Sequence, residues 1–440
     1  MTRPPDLLRA SSSGRNAARA PAPLGRQRGL SLIELMIALV IGLIFSLAVL
    51  LVQASLTRQN VQMSDVTLRD NQARAALDLV TRDLSNAGFM LGGVQSRCSI
   101  TLAYNSSLTA TPFFAQYPVS AASQPLALPT STTPLPANTP DPSAYGNAKN
   151  QFTDMLFFTG TDTALQVPTN GNPATYVVQN STTQAAAGGG AINSSTLPLG
   201  STAGISPGDA ALLRMPLNGK LVCFRTPISN VGPSTSPSST YVDSKSTNLF
   251  PSTGYSAFNG QLQNAGILPA GTSLSNANFI QARLTDLGSS SATTQRTIAY
   301  YIGKYADASG GSYPVLVRAI LNSQTDALIS ANPVAAGVVS LQALFGVDET
   351  NSGGVTNYLT WPDVVSGNYT NAVRSVLFAL VTKTLHSDPK YNAPSKIAIP
   401  SPAGASNDTF TSYTVPTTYA QDRFSVIESE IAVRNQLWPH

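Results

Sequence analysis

The chain has 440 residues, of which 42% are apolar and only 11% charged, with a formal net charge of +4. That apolar fraction supports a folded core, and the length allows an anchor plus one large domain or two small ones. The positive balance is local: Arg3, Arg9, Arg15, Arg19, Arg26 and Arg28 against Asp6 give residues 1–29 a net +5, which leaves about −1 for the rest. A basic isoelectric point confined to a leader is no argument for nucleic-acid binding.

Residues 1–28 are rich in Arg, Ala, Ser and Pro with no apolar period, a composition that cannot bury enough surface to order itself. The run Leu30–Val52 (LSLIELMIALVIGLIFSLAVLLV) follows, almost wholly apolar. A helix of this length rises about 35 Å and crosses a hydrocarbon core of about 30 Å with some tilt. The flanking arginines orient the span, leader in the cytoplasm and everything after Val52 outside. One carboxylate, Glu34, lies in its first turns. An ionised acid there costs on the order of 2.5–3.5 kcal/mol, which makes Glu34 a functional residue by default. A signal peptide cut near Val52-Gln53-Ala54 fits the run poorly, because its apolar region is only about 7–15 residues. A plain anchor leaves Glu34 unexplained, and a buried core helix would need a much larger domain to bury it on all sides.

Gly29-Leu30-Ser31-Leu32-Ile33-Glu34-Leu35-Met36 resembles the processing motif of type IV prepilins and the related pseudopilins. The resemblance implies cleavage between Gly29 and Leu30 by a prepilin peptidase and methylation of the new amine at Leu30. Leucine stands where the family usually has phenylalanine. It also implies that Glu34 meets the amine of a neighbouring subunit. Residues 30 and 34 are four apart and so share a helical face. Pairing across a staggered bundle removes two charges from lipid at once.

Beyond Gln53 the helix is expected to continue over 53–93. Leu56, Met63, Val66, Ala73, Leu77, Val80, Leu84 and Ala87 form one apolar stripe, Arg69, Arg74, Asp78, Arg82 and Asp83 occupy other faces, and Gly88 or Gly92-Gly93 stops it. Gly42, inside the span, is either a point that unwinds on packing or a small residue that lets helices approach.

The stretch 73–93, ARAALDLVTRDLSNAGFMLGG, resembles the one that leads towards a cysteine in the PilW family of large minor pilins; Cys98 follows. Later segments resemble that family in order: Asp154–Phe158, Gly208-Asp209 with Ala210–Leu213 before Cys223, Thr297–Ile302, Val315–Ala319, Val338–Val347, Val373–Thr382 and Phe424–Asn435. Read without the family these are still strands, rich in Val, Ile, Tyr and Phe and bounded by turn residues. The intervening 119–150, 181–207, 229–260 and 386–420, rich in Ser, Thr, Pro, Asn and Gly, are expected as loops. Cys98 and Cys223 lie on the outer side of the span, where a disulfide is permitted; two unpaired buried thiols are the other reading.

Little supports catalysis. His386 and His440 are the two histidines, so a Ser-His-Asp arrangement or a histidine-rich zinc site lacks parts. Gly188-Gly189-Gly190 has no strand–helix context for a phosphate loop. Asp348 and Glu349 before Asn351, Gly353 and Gly354 lack the full calcium-loop spacing and read as an acidic turn. No basic stripe with interleaved aromatics occurs.

The expected fold is therefore α+β and pilin-like: a leader (1–29), a transmembrane helix (30–52), its continuation (53–93), and a β-rich outer domain (94–440) of antiparallel sheet with long loops. The resemblance implies a non-enzymatic minor pilin, without cofactor or metal, that primes type IV pilus assembly and stays near the tip. Its implied partners are other minor pilins, the major pilin, the prepilin peptidase, the inner-membrane assembly platform and the membrane. A minor pseudopilin of type II secretion and a pilin-anchored adhesin are the alternatives.

Overall fold

The structure, a computed structural model, describes residues 31–87, 98–110, 117–128, 139–140, 152–159, 175–177, 196–233, 240–243, 256–289, 297–306, 311–322, 326–402 and 409–433, apart from a few positions inside these stretches. The first element among the described residues is a single helix, α1 (Leu32–Ser85). In chain order there follow β1 (Cys98–Asn105), β2 (Ser107–Ala110), β3 (Val119–Ser123), β4 (Asp154–Thr159), β5 (Thr175–Val177) and β6 (Thr196–Leu199). Next come β7 (Asp209–Leu217), β8 (Lys220–Pro227), β9 (Asn230–Pro233), β10 (Thr240–Asp243), α2 (Ser256–Asn264) and β11 (Arg283–Ser289). The remainder is β12 (Thr297–Ala306), β13 (Ser312–Leu321), β14 (Leu328–Ala336), β15 (Val338–Val347), β16 (Asn357–Leu359), α3 (Trp361–Ser366), β17 (Val373–Lys383), β18 (Lys396–Ile397), β19 (Tyr413–Thr414) and β20 (Phe424–Ala432). The α+β expectation holds: a long apolar N-terminal helix precedes antiparallel sheets.

The chain divides into two compact units, one up to Val61 and one from Gln62 onward. In the second unit the core is built by two sheets, with strand orders β14-β13-β12-β4-β3 and β16-β15-β17-β20, all antiparallel. Side chains alternate across each strand, so one face of both sheets (Leu156, Phe158, Tyr300, Phe345, Phe378) encloses Ala76, Val80 and Leu84 of α1 with Ala87 just past its end. The opposite face of the first sheet is covered as well, with Met155, Phe157 and Tyr301 packing on Leu128. That of the second sheet packs Leu377, Ala379 and Val381 on Ile399, Phe410 and Tyr413. Burial on both faces explains why VVSLQALFGV and VRSVLFALVT read as nearly continuous apolar runs rather than alternating ones.

Two devices join these sheets. β14 ends at Ala336 and β15 begins at Val338, so Gly337 alone carries the chain from one sheet to the other. Its φ of +75° and a would-be Cβ 2.5 Å from the Lys383 carbonyl oxygen leave room only for glycine. Across the seam, Thr153 just before β4 and Asp154 at its start satisfy the free edge of β15. Thr153 Oγ1 donates to the Leu341 carbonyl at 3.2 Å and accepts from its N–H at 3.0 Å, and Asp154 Oδ2 accepts from the Ala343 N–H at 3.0 Å.

A second body is built mostly from the chain between β4 and β12, which are neighbours in one sheet although 137 residues separate Thr159 from Thr297, and is completed by β1 and β2 from before β3. It consists of a sheet ordered β2-β1-β8-β7-β11-β5, a small sheet β6-β10-β9, and α2. Leu199, Leu213, Met215, Phe224, Leu262 and Leu284 form its own core. Arg225 of β8 ties it to the first body by a buried ion pair with Asp326, 2.9 Å, beside β14. Burial pushes the Arg225 guanidinium down to about 10, partly offset by the charge of Asp326.

Several stretches expected as loops hold structure. β3 lies in 119–150, β6 in 181–207, β9, β10 and the start of α2 in 229–260, and β18 and β19 in 386–420. Their strands are short and polar, so they gain stability from neighbours rather than from their own composition.

Candidate assembly interface

In the first unit, Leu, Ile, Val and Ala fill the helix without a proline, and Ser31 closes its first turn, its carbonyl accepting from the N–H groups of Glu34 (3.0 Å) and Leu35 (3.1 Å). Every large apolar side chain between Leu32 and Val52 is exposed, from Val49 at 50% to Leu32 at 79%. The 21 residues from Leu32 to Val52 rise about 32 Å, so the segment is long and apolar enough to cross a bilayer. Glu34 is the one charged residue between Ser31 and Thr57, exposed in the first turn where the positive end of the helix dipole favours an anion. Gly42 sits in unbroken helix, and a Cβ there would meet nothing within 4 Å. Gly29 and Leu30 lie outside the described residues, as do Gly88, Gly92 and Gly93; the helix itself stops at Ser85.

In the second unit the outer part of the same helix is fixed to the sheets. The apolar stripe is buried at Ala73, Ala76, Val80, Leu84 and Ala87, but Leu56 and Met63, expected on it, are exposed. Asp83, expected on a solvent face, is buried instead. Its Oδ2 accepts from Arg318 Nε and from the Tyr300 hydroxyl, both at 2.6 Å. Tyr300 and Arg318 are themselves opposite each other on β12 and β13. Burial, then the neighbouring carboxylate, pushes the Tyr300 hydroxyl far above its ordinary range. The helical spacing 76, 80, 83, 87 carries the signal for this site: an acid in an apolar register position requires a buried cation. Earlier along the helix, Gln72 Oε1 accepts from the Ala336 N–H (3.2 Å), Arg69 donates to the Arg423 carbonyl (3.3 Å), and His386 Nδ1 lies 3.0 Å from Asp65.

Cys98 begins β1 and Cys223 lies in β8, its parallel neighbour, with Cys98 aligned to Leu221 and Thr101 to Cys223. Cys223 is buried. The acidic turn is internally satisfied: Asp348 accepts from the N–H groups of Ser352 (2.8 Å) and Gly353 (2.7 Å) and pairs with Arg374 at 3.3 Å. Among the described residues no three His, Cys, Asp or Glu side chains converge to hold a metal ion. The polar groups gathered along the helix thus do packing work: they fasten one element to another.

Residues 24–50 match the prokaryotic N-terminal methylation motif, and residues 299–435 match the type IV pilus-assembly protein W family, PilW. Over these two ranges the chain is similar to the pilins of the PilW family. No curated protein and no solved structure matches it. The PilW match begins inside β12 and runs past β20, so it contains the strands of both core sheets except β3 and β4. The methylation match brackets Gly29, Leu30 and Glu34. The second body, β1, β2 and β5–β11 with α2, lies outside both matched ranges.

Proposed function

We propose that this chain is a minor pilin of the PilW family that is cut after Gly29, methylated at Leu30, and built into a type IV pilus through its N-terminal helix. It acts there as a packing subunit and not as a catalyst, helping to prime assembly with other minor pilins and remaining near the tip beside the major pilin. Before that, the 30–52 segment holds it in the inner membrane, leader in the cytoplasm and domain outside, within reach of the prepilin peptidase and the assembly platform. Glu34 is the specificity element, its carboxylate neutralised by the Leu30 amine of an adjoining subunit. A bridge between Cys98 and Cys223 staples β1 to β8; the chain has two cysteines and they lie on paired strands.

The single observation that carries this reading is a wholly exposed apolar helix with one carboxylate in its first turn. Such a surface is stable only against lipid or other helices. An acid within it is tolerated when a cation meets it, since an unpaired buried charge costs about 3–5 kcal/mol. The test is Glu34→Ala, followed by membrane fractionation, intact-mass analysis and quantitation in sheared filaments. The variant is expected to stay in the membrane, to be cut and methylated at Leu30, and to be lost from filaments. Wild-type incorporation, or a mature chain that keeps its arginine-rich leader, overturns the proposal.

A further inference from the structure

The second core sheet ends on β20, and among the described residues this nine-residue strand has a strand neighbour, β17, on one side only. A free edge of that length presents a row of backbone donors and acceptors, and proteins usually blunt such edges with bulges, prolines or very short strands. β20 has no proline, its register with β17 runs unbroken from Lys383–Phe424 to Ser375–Ala432, and Glu428, Glu430 and Ala432 are exposed. The opposite edge of the sheet, β16, is only three residues long.

We propose that the β20 edge accepts an extended strand from a different pilin subunit, one carrying a lysine or arginine opposite Glu428; this rests on the minor-pilin reading above. Charge selects the occupant. β20 contains Glu428 and Glu430 and no basic residue. Glu430 is already engaged, accepting from Ser375 Oγ (2.6 Å) and the Tyr358 hydroxyl (2.9 Å), whereas Glu428 stands opposite Ala379. A second copy of this chain is disfavoured: full-length antiparallel self-pairing of 424–432 is centred on Glu428, which then faces its own copy. Like charges directly opposite are destabilising, and opposite charges are favourable. Main-chain ladder bonds supply the attraction and the side chain at Glu428 supplies the choice of partner.

The experiment compares the full chain alone in detergent with the full chain in sheared filaments by amide hydrogen exchange. A photo-crosslinking residue at the exposed Ala432 identifies what lies beside the edge. Alternate amides of 424–432 are expected to slow about tenfold or more in filaments, with crosslinks to another pilin. Glu428→Lys is expected to lower incorporation about tenfold while leaving the thermal midpoint of the isolated chain unchanged, and Glu428→Gln to lie between. Unchanged exchange at β20, a crosslinked homodimer, or wild-type incorporation of Glu428→Lys overturns the inference. Glu34→Ala run in parallel separates the two readings: its loss from filaments beside a silent Glu428→Lys sinks the edge alone. Retention of Glu34→Ala sinks the filament reading instead.

Discussion

Asp83 of α1 and Arg318 of β13 meet at 2.6 Å with both side chains nearly out of water, and Tyr300 completes the site from the adjoining strand. One carboxylate thereby holds the outer part of the helix to two neighbouring strands of the first sheet. Removing it leaves Arg318 without its counter-charge and Tyr300 without its acceptor. Asp83→Ala is expected to destabilise the chain by about 3–5 kcal/mol, read by denaturant unfolding in detergent. A loss below about 1 kcal/mol would mean that the apolar stripe alone fixes the helix.

The joint at Gly337 gives a second prediction. Alanine there meets the Lys383 carbonyl oxygen and must hold a left-handed backbone. Gly337→Ala is expected to cost about 2–3 kcal/mol, whereas Gly42→Ala, in open space, leaves the unfolding midpoint of the domain unchanged.

Asp154 predicts a pH dependence. Burial raises its carboxyl from 3.8 to about 6, offset only in part by the Ala343 N–H. The folded state therefore holds a proton that the unfolded chain releases near 3.8. The contribution is full below that value and is lost as pH rises through about 6. Asp154→Asn keeps an acceptor for Ala343 without a charge, so it is expected to be more stable than the natural chain by about 1–2 kcal/mol at pH 7.5. Thermal melts at pH 7.5 and pH 4 check this, and a difference that persists at pH 4 would contradict it.

The proposed Cys98–Cys223 bridge closes a long loop. Cys98→Ser is expected to lower stability by roughly 4–5 kcal/mol in the chain-entropy model. Reductant should produce the same shift in the natural chain and none in the variant, measured by denaturation with and without dithiothreitol.

The membrane-length helix, its lone carboxylate and the central strands were legible in the chain itself. Leu32–Val52 is apolar all round, and β15, with bounds at Val338 and Val347, sits where an uninterrupted apolar run says a strand must be. Such features depend on local composition, which neighbours only reinforce. Asp83, Asp65 and Arg225 were not legible as pairing sites, because each acquires its role from residues such as Arg318, His386 and Asp326 that lie about 100 to more than 300 positions away. Apart from β7, whose start at Ala210–Leu213 was expected as a strand, the second body was hidden for the same reason. The short β6, β9 and β10, in Ser-, Thr- and Pro-rich sequence, match loop chemistry, and only their pairing with one another makes them a sheet. Sequence determined which segments must leave water; the tertiary structure decided which polar side chains leave with them, since burying a charge is favourable only where its partner has been brought to meet it.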